Sequence, residues 1–375
     1  MQLQFKVCHL TSVHARNDTR IFIKEAQSLA KAGYCVELVV ADGKGDAKKN
    51  GVSIYDVGLP KGRKDRFTRT TQKVLEKAKR LNGDVYHLHD PELLPAGLKL
   101  KRMGKKVIFD SHEDVPLQIR GKSYLSKPSR WLCSNAFRRY EAWVCRQLDA
   151  VVAATPFIRE KFLAINSNSV DVNNFPILGE LAEEDVDWSL KQHQICYVGD
   201  ITASRGIKEM VRAVGHVKSG ARLQLGGRFS DTKTEREVKS YAGWEGVDQL
   251  GWLSREQVRQ VLARSMAGVV TLHPTINYMD ALPVKMFEYM SAGLPVIASR
   301  FPLWREIIEQ GQCGVCVDPL YPEDIAAAVD RFITNPKQAR QMGENGKRAV
   351  RERFNWQNEA KKLLDLYGNL FRTEC

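Results

Sequence analysis

Short apolar runs alternate with longer stretches of helical periodicity along nearly the whole chain. Residues 5–11, 35–41, 52–57, 84–88, 106–110, 151–154 and 170–173 read as buried strands. Between the first two, Ile21, Phe22, Ala26, Leu29 and Ala30 recur at helical spacing, with Asn17 or Asp18 as the cap and Gly33 as the stop. Further helices are predicted up to about 81, over 92–103, over 128–148 with Trp131, Phe137, Trp143 and Val144 as apolar positions, and over 156–163. Residues 61–69 read as a basic connection and 111–116 as a polar segment. After an acidic connector, 179–187, the pattern restarts. Strands are expected at 195–198, 222–225, 247–250, 268–272, 295–298 and 314–317, with helices from 207, from Ser254, over 322–334, and over 337–370 with a break near 355–356. Such alternation predicts an α/β chain of two doubly wound, parallel-sheet domains, 1–178 and 190–355. Sheets of this kind bind ligands at the carboxyl ends of their strands, so two of them facing one another imply a cleft.

The length, 375 residues, suits two domains. No run of about 20 apolar residues occurs, so no spanning helix is expected. The first ten residues lack the charged and apolar regions of a signal peptide. The eight cysteines are scattered and read as cytosolic thiols. Cys313-Gly-Val-Cys316 has redox spacing but no neighbouring pair to complete a zinc site. Charge alters the picture once it is divided. Residues 1–178 hold 31 Lys and Arg against 18 Asp and Glu, whereas 179–375 hold 26 against 26. The whole excess of +13 therefore lies in the first half, which points to an anionic partner there.

Polar residues and glycines cluster where strands end. They include Ser12-Val-His-Ala-Arg16-Asn17-Asp18 after the first strand, His87-Leu-His89-Asp90-Pro-Glu92 after the fourth, and Asp110-Ser-His112-Glu113-Asp114 after the fifth. His87 and His89 share a strand face. A metal site would need further ligands that the sequence does not show, so both are read as polar lining of a cleft. His112, next to carboxylates, is suited to holding a hydroxyl or exchanging a proton; a purely structural hydrogen-bonding role is the other reading. In the second half, Gly199, Arg205 and Gly206 lie just before a helix, where a guanidinium fork and a close backbone suit a diphosphate. The stretch 273–299 reads as loop, short helix begun by Pro283 and Val284, glycine stop and buried strand. A lysine in a first helical turn opposes the helix dipole. Lys285 either pairs with Glu288 at i,i+3 on a solvated face or shares an anion with the helix N-terminus.

These residues carry a resemblance. Asp280, seven residues, Glu288, then Tyr-Met-Ser-Ala-Gly-Leu-Pro-Val-Ile resembles the signature of family-4 retaining nucleotide-sugar glycosyltransferases, which have the GT-B fold. Tyr197 to Gly206 is similar to the family's diphosphate motif, Gly251-Trp-Leu253 to the segment framing the nucleobase, and His112 to the family's histidine after a late strand. The stretches His14 to Arg20, His89 to Leu93 and Asp110 to Pro116 resemble those of bacterial O-antigen and exopolysaccharide transferases. The sequence departs from the pattern at Asp280, where the family has glutamate, at Asp200, where it has arginine, at Arg205 for lysine, and at Ala281-Leu282-Pro283 for its Gly-Phe-Gly. The usual glycine-rich first loop is replaced by Ala15 to Asp18.

The resemblance implies two Rossmann-like domains facing across a cleft, with a final helix, about 356–375, packing back on the first. It implies sugar transfer from a nucleotide donor, with UDP preferred, to a lipid-linked or oligosaccharide hydroxyl in surface polysaccharide synthesis. His112, Asp280, Arg205 and Lys285 would be catalytic. Glu288, Gly199, Gly206, Gly251, Leu253, Pro283 and Val284 would hold the donor. Arg16, Asn17, Asp18, His89, Asp90 and Glu113 are acceptor-side candidates, with Lys285 or Arg16 supplying the second cation that Asp200 cannot. No metal and no other cofactor is expected. The basic first half, with Lys61, Arg63, Lys64, Arg66, Arg69, Lys101, Arg102, Lys105 and Lys106, would meet an anionic inner leaflet, the enzyme being cytoplasmic and peripheral. A nucleotide-sugar 2-epimerase and a basic nucleic-acid binder are the alternatives; no nucleic-acid motif supports the latter.

Overall fold

A computed structural model describes residues 5–122, 124–181 and 186–372. Residues 182–185 in the acidic connector, the last three residues of the predicted final helix (373–375), residue 123 and the first four residues lie outside the described residues. The chain forms two compact units, Met1–Asn174 with Asn358–Cys375, and Phe175–Gln357.

Unit 1 is built on β1 (Lys6–Leu10), β2 (Cys35–Val40), β3 (Ala47–Lys49), β4 (Val52–Asp56), β5 (Val85–Leu88), β6 (Lys106–Ser111), β7 (Ala150–Ala153) and β8 (Ser169–Asp171). They lie in the order β3-β4-β2-β1-β5-β6-β7-β8. All neighbours are parallel except β3, which folds back antiparallel on β4 through an Asn50-Gly51 turn. The short, exposed β3 has no hydrophobic alternation, which is why its sequence gives no strand signal. From β1 the chain builds outward to β2 and β4, then returns to place β5 on β1's other side. That reversal is a topological switch point, and the loops after β1 and β5 meet there. The last helix, Trp356–Arg372, belongs to this unit from Asn358 onward. Its Phe371 stacks on Phe5 and its Tyr367 reaches His87.

Unit 2 holds β9 (Gln194–Val198), β10 (Arg222–Gly226), β11 (Val247–Gly251), β12 (Ala267–Val270), β13 (Val296–Ser299) and β14 (Gly314–Val317). Their order, β11-β10-β9-β12-β13-β14, repeats the device, with the switch between β9 and β12. Trp304, Tyr197, Tyr289, Phe287 and Phe332 fill its core. Each such burial contributes on the order of 1.5–3 kcal/mol or more.

Several expectations are corrected. The basic connection is helical: Arg63–Asp65 and Arg66–Thr70 lead without interruption into the helix Thr71–Leu81. Lysine and arginine are good helix formers, so charge density did not break the element. The polar segment after β6 enters a helix, Val115–Gly121, with Asp114 accepting from Leu117 N at 3.0 Å as its cap. A helix capped by Asp231, Thr232–Lys239, was also not foreseen. In Lys127–Cys145 the buried stripe runs through Ser134, Glu141, Val144 and Cys145, while Trp131 and Trp143 are 64% and 51% exposed. Among the described residues no helix is long and apolar enough to cross a membrane, and the seven cysteines there are free thiols.

Candidate functional site

A polar cluster lies at the switch point of each unit. In unit 2 the helix Val284–Ser291 starts after extended Pro283 and projects Lys285 across the end of β9. The Lys285 Nζ is buried, has no hydrogen-bond partner, and lies 3.8 Å from the centroid of the Tyr197 ring. Burial, with the Arg205 guanidinium next in weight, pulls its pKa down to about 7. Gly199, at φ 136°, leaves room for both cations, because a Cβ there would lie 3.0 Å from Nζ and 3.8 Å from Arg205 Nη1. Arg205 ends the turn Ala203–Arg205, whose Thr202 hydroxyl accepts from the Arg205 N–H. Its Nη1 is 3.5 Å from both Asp200 Oδ2 and the Asp200 carbonyl, a loose pairing, and the Tyr197 and Tyr278 hydroxyls also lie against the guanidinium. Gly206, at φ 78°, brings the next helix, Ile207–His216, against β12: a Cβ would sit 2.0 Å from the Thr271 carbonyl oxygen.

The i,i+3 pair of Lys285 with Glu288 does not form as a hydrogen bond. Glu288 instead accepts from Arg255 at 2.9 Å, and Arg255 also donates to Glu180 at 2.7 Å. Burial of Phe287 and Met290 turns the helix so that Lys285 faces β9. Asp280 is exposed on a loop pinned by Trp304 Nε1 donating to the Ala281 carbonyl at 2.6 Å. Gly251 closes β11, and Leu253 packs over Gly226. The sequence reading took in Arg255 and His273 within longer stretches but gave neither a role. His273 follows β12 as the other polar residues follow their strands, and its Nε2 is 2.8 Å from Glu209 Oε2.

In unit 1 the centre is Asp110, at the end of β6. Arg20 donates to both its oxygens, at 2.8 and 2.9 Å, and also to the Val172 carbonyl. His112 Nε2 stands 2.9 Å and His89 Nδ1 3.2 Å from Asp110 Oδ2. Burial opposes ionisation of Asp110, but Arg20 and His112 outweigh it and hold the carboxyl well below the usual range. His112 is partly exposed above this pair, with the ring of His14 5.0 Å away. The sequence reading named Asp110 only as part of the polar group after the fifth strand and gave Arg20 no role, since their pairing joins positions far apart in the chain.

The acceptor-side candidates divide. His89 and Asp90 are buried, not lining a cleft: Asp90 accepts from Thr11 Oγ1 at 2.8 Å and Ser12 N at 2.6 Å, which folds the loop after β1. Asp18 caps the first helix through Arg20 N and Ile21 N. Arg16 is committed to Asp42, at 2.6 and 2.8 Å, and to the Gly45 carbonyl, so it is not a spare cation. Asn17 and Glu113 are exposed.

Below His89 lies a second group of donors. His87, also read as cleft lining, is fully buried, and its ring stacks on His89 at 4.7 Å. One ligand-capable atom from each of His9, Glu25, His87 and His89 lies within 4.8 Å of the others. His89, Asp110 and His112 form another such set, but Arg20 already occupies both Asp110 oxygens.

Two family models match the chain: "Glycosyltransferase Family 4" over residues 20–172 and "Glycosyl transferases group 1" over 180–349. Among curated relatives, the MMP alpha-(1->4)-mannosyltransferase of Mycolicibacterium hassiacum is 23% identical over 299 residues, covering 76% of this chain and 71% of that protein. The alpha-maltose-1-phosphate synthase of Mycolicibacterium smegmatis is 26% identical over 200 residues, 50% of each chain. Among solved structures, sucrose-phosphate synthase from Thermosynechococcus elongatus superposes with a TM-score of 0.78 at 18% identity, covering 99% of this chain and 100% of that one. Anabaena HepE in complex with UDP and glucose gives 0.74 at 11% identity, covering 98% and 100%.

Proposed function

Because this chain belongs to the family-4 glycosyltransferases of the GT-B fold, we propose that it is a retaining enzyme that moves a sugar from a UDP-sugar to a hydroxyl of a lipid-linked or oligosaccharide acceptor in surface polysaccharide synthesis. The observation that carries the donor half of this reading is Lys285, whose Nζ is buried, lacks a hydrogen-bond partner and shares the Gly199 opening with Arg205. An unpaired buried ammonium is costly, and a diphosphate would supply its missing partner. The leaving nucleoside diphosphate gains negative charge as the glycosidic bond breaks, so two fixed cations aimed at it lower the barrier. Glu288, oriented by Arg255, would accept from the ribose hydroxyls, and the exposed Asp280 would hold hydroxyls of the sugar. The structural likeness to HepE, solved in complex with UDP and glucose, supports uridine among the bases.

In unit 1, His112 would contact the sugar or the incoming hydroxyl, held by Asp110. With retention assisted by the leaving phosphate, no protein nucleophile is needed, and Arg205 and Lys285 take the part that a catalytic metal plays elsewhere. An anionic lipid surface suits the excess charge of unit 1 and the exposed face of the helix Lys127–Cys145, where Trp131, Leu132 and Trp143 accompany Arg139 and Arg146. Lys101 and Arg66 contribute less than expected, being paired with Asp149 and Glu92.

A thermal-shift panel of nucleotide sugars tests the donor: a UDP-sugar should stabilise the protein by mass action. Lys285→Ala should abolish that shift, and an unchanged affinity and turnover in this variant overturns the reading. Turnover should persist in a chelator; complete loss with rescue by one divalent ion overturns the metal-independent mechanism.

A further inference from the structure

The polar cluster beneath His89 has more buried acceptors than hydrogen bonding among its members can serve. His9, Glu25, His87 and His89 come from β1, the first helix and β5, and their side chains are buried. His87 Nδ1 is 2.9 Å from Tyr367 Oη, and His89 Nδ1 is 3.2 Å from Asp110 Oδ2. If each Nδ1 carries the proton toward its oxygen, each Nε2 presents a lone pair to the cluster. His9 Nδ1 lies 2.8 Å from His89 Nε2, and a single shared proton satisfies that pair alone. His9 Nε2, His87 Nε2 and both Glu25 oxygens are then left buried without a hydrogen bond. Arg20 Nε is 3.1 Å from Glu25 Oε1, without the alignment of a hydrogen bond. Leaving buried polar atoms unpaired is costly, so one missing partner common to these four atoms of His9, Glu25 and His87, with His89 Nε2 beside them, is the economical explanation.

We infer that His9, Glu25, His87 and His89 form a structural metal site for a tetrahedral divalent ion of the zinc type. Three imidazoles and one carboxylate make a donor set of the kind zinc accepts, and four protein ligands with no open position mark a structural site and not a catalytic one. A zinc ion about 2.0–2.1 Å from each ligand requires ligand atoms about 3.4 Å apart, so the group closes onto the ion by small side-chain movements. The supporting shell is present: Asp110 behind His89 and Tyr367 behind His87 fix which nitrogen faces inward, as outer partners of metal-bound histidines do. The ion would bind β1, β5 and the first helix together and, through Tyr367, tie in the last helix. It stands apart from the donor chemistry proposed above, and its test is independent of turnover.

The test is metal content of the full-length protein, purified without a histidine tag, dialysed against EDTA and passed through gel filtration. About one zinc per chain is expected, held through dialysis because the site is enclosed. Zinc-edge X-ray absorption of the same wild-type sample should show about four nitrogen and oxygen scatterers and no sulfur. Glu25→Gln and His87→Gln should lose the zinc, with a lower melting temperature, while the double variant Cys313→Ser/Cys316→Ser retains it. Wild-type protein with less than about a tenth of an equivalent, both as purified and after refolding with zinc, overturns the site in favour of a metal-free network with Glu25 protonated. Sulfur in the absorption spectrum, or zinc lost with the cysteines, overturns it equally, and neither measurement depends on a histidine variant folding.

Discussion

Arg20 grips Asp110 with two parallel hydrogen bonds, at 2.8 and 2.9 Å, across a separation of 90 residues in the chain. The first helix of unit 1 is thereby fastened to the end of β6, directly under His112. Both partners are buried, so removing one strips the other of its main counter-charge. Arg20→Met should destabilise unit 1 by about 3–5 kcal/mol, whereas pairing it with Asp110→Leu should recover much of the loss. Urea unfolding of both variants followed by circular dichroism checks this. A single variant as stable as the wild type would show that the pair is dispensable.

Lys285 should trade stability against function. Its folded pKa of about 7 lies below the ordinary 10.5, so between those values the unfolded chain binds more protons. Stability contributed by this group therefore rises with pH across that window, and the penalty is fully present below pH 7. Lys285→Met should accordingly raise the melting temperature at pH 7 while removing donor binding. A bound diphosphate restores the proton, so UDP binding at pH 8 should take up protons and weaken as pH rises. Calorimetry in buffers of different ionisation heat reads the uptake; none at pH 8 would separate Lys285 from the diphosphate.

Arg255 aims Glu288 and itself has no place in the proposed chemistry. Its bonds to Glu288 and Glu180 hold the carboxylate on one side of the Val284–Ser291 helix. Arg255→Ala should raise the donor KM about tenfold, near 1.4 kcal/mol, with kcat changed far less. Equal losses in kcat and kcat/KM would assign the pair a transition-state role instead.

Gly206 tolerates no side chain. A Cβ would meet the Thr271 carbonyl oxygen at 2.0 Å, and φ 78° disfavours any other residue. Gly206→Ala should cost about 2 kcal/mol or more in stability and displace Arg205, read as a lower melting temperature with a weaker UDP response.

Asp280 is exposed, on a loop held by the Trp304–Ala281 hydrogen bond rather than by its own side chain. Asp280→Ala should lose turnover at unchanged melting temperature, and Asp280→Glu should keep it. A fall in stability for the alanine variant would point to a structural role.

The alternation of strands and helices was plain in the sequence, because a buried parallel strand is a short apolar run and an amphipathic helix repeats every 3.6 residues. For the same reason the strand ends were legible, and with them Gly199, Arg205, Gly206, Lys285 and Glu288, all local to one turn or helix. What escaped was set by neighbours distant in the chain. His87 and His89 were seen to share a face, but their burial and their association with His9 and Glu25 depend on β1 lying beside β5 and on the first helix covering both. Asp18 was read both as a helix cap and as an acceptor-side residue, and its bonds to Arg20 N and Ile21 N bear out the cap; Asp90 looked like a ligand residue, yet its bond to Ser12 N makes it a loop clasp. Arg16 looked free until Asp42 lay beside it. Periodicity and capping act over a few residues and determined the elements; pairing of charges and sharing of buried protons act through space, and only the tertiary structure decided them.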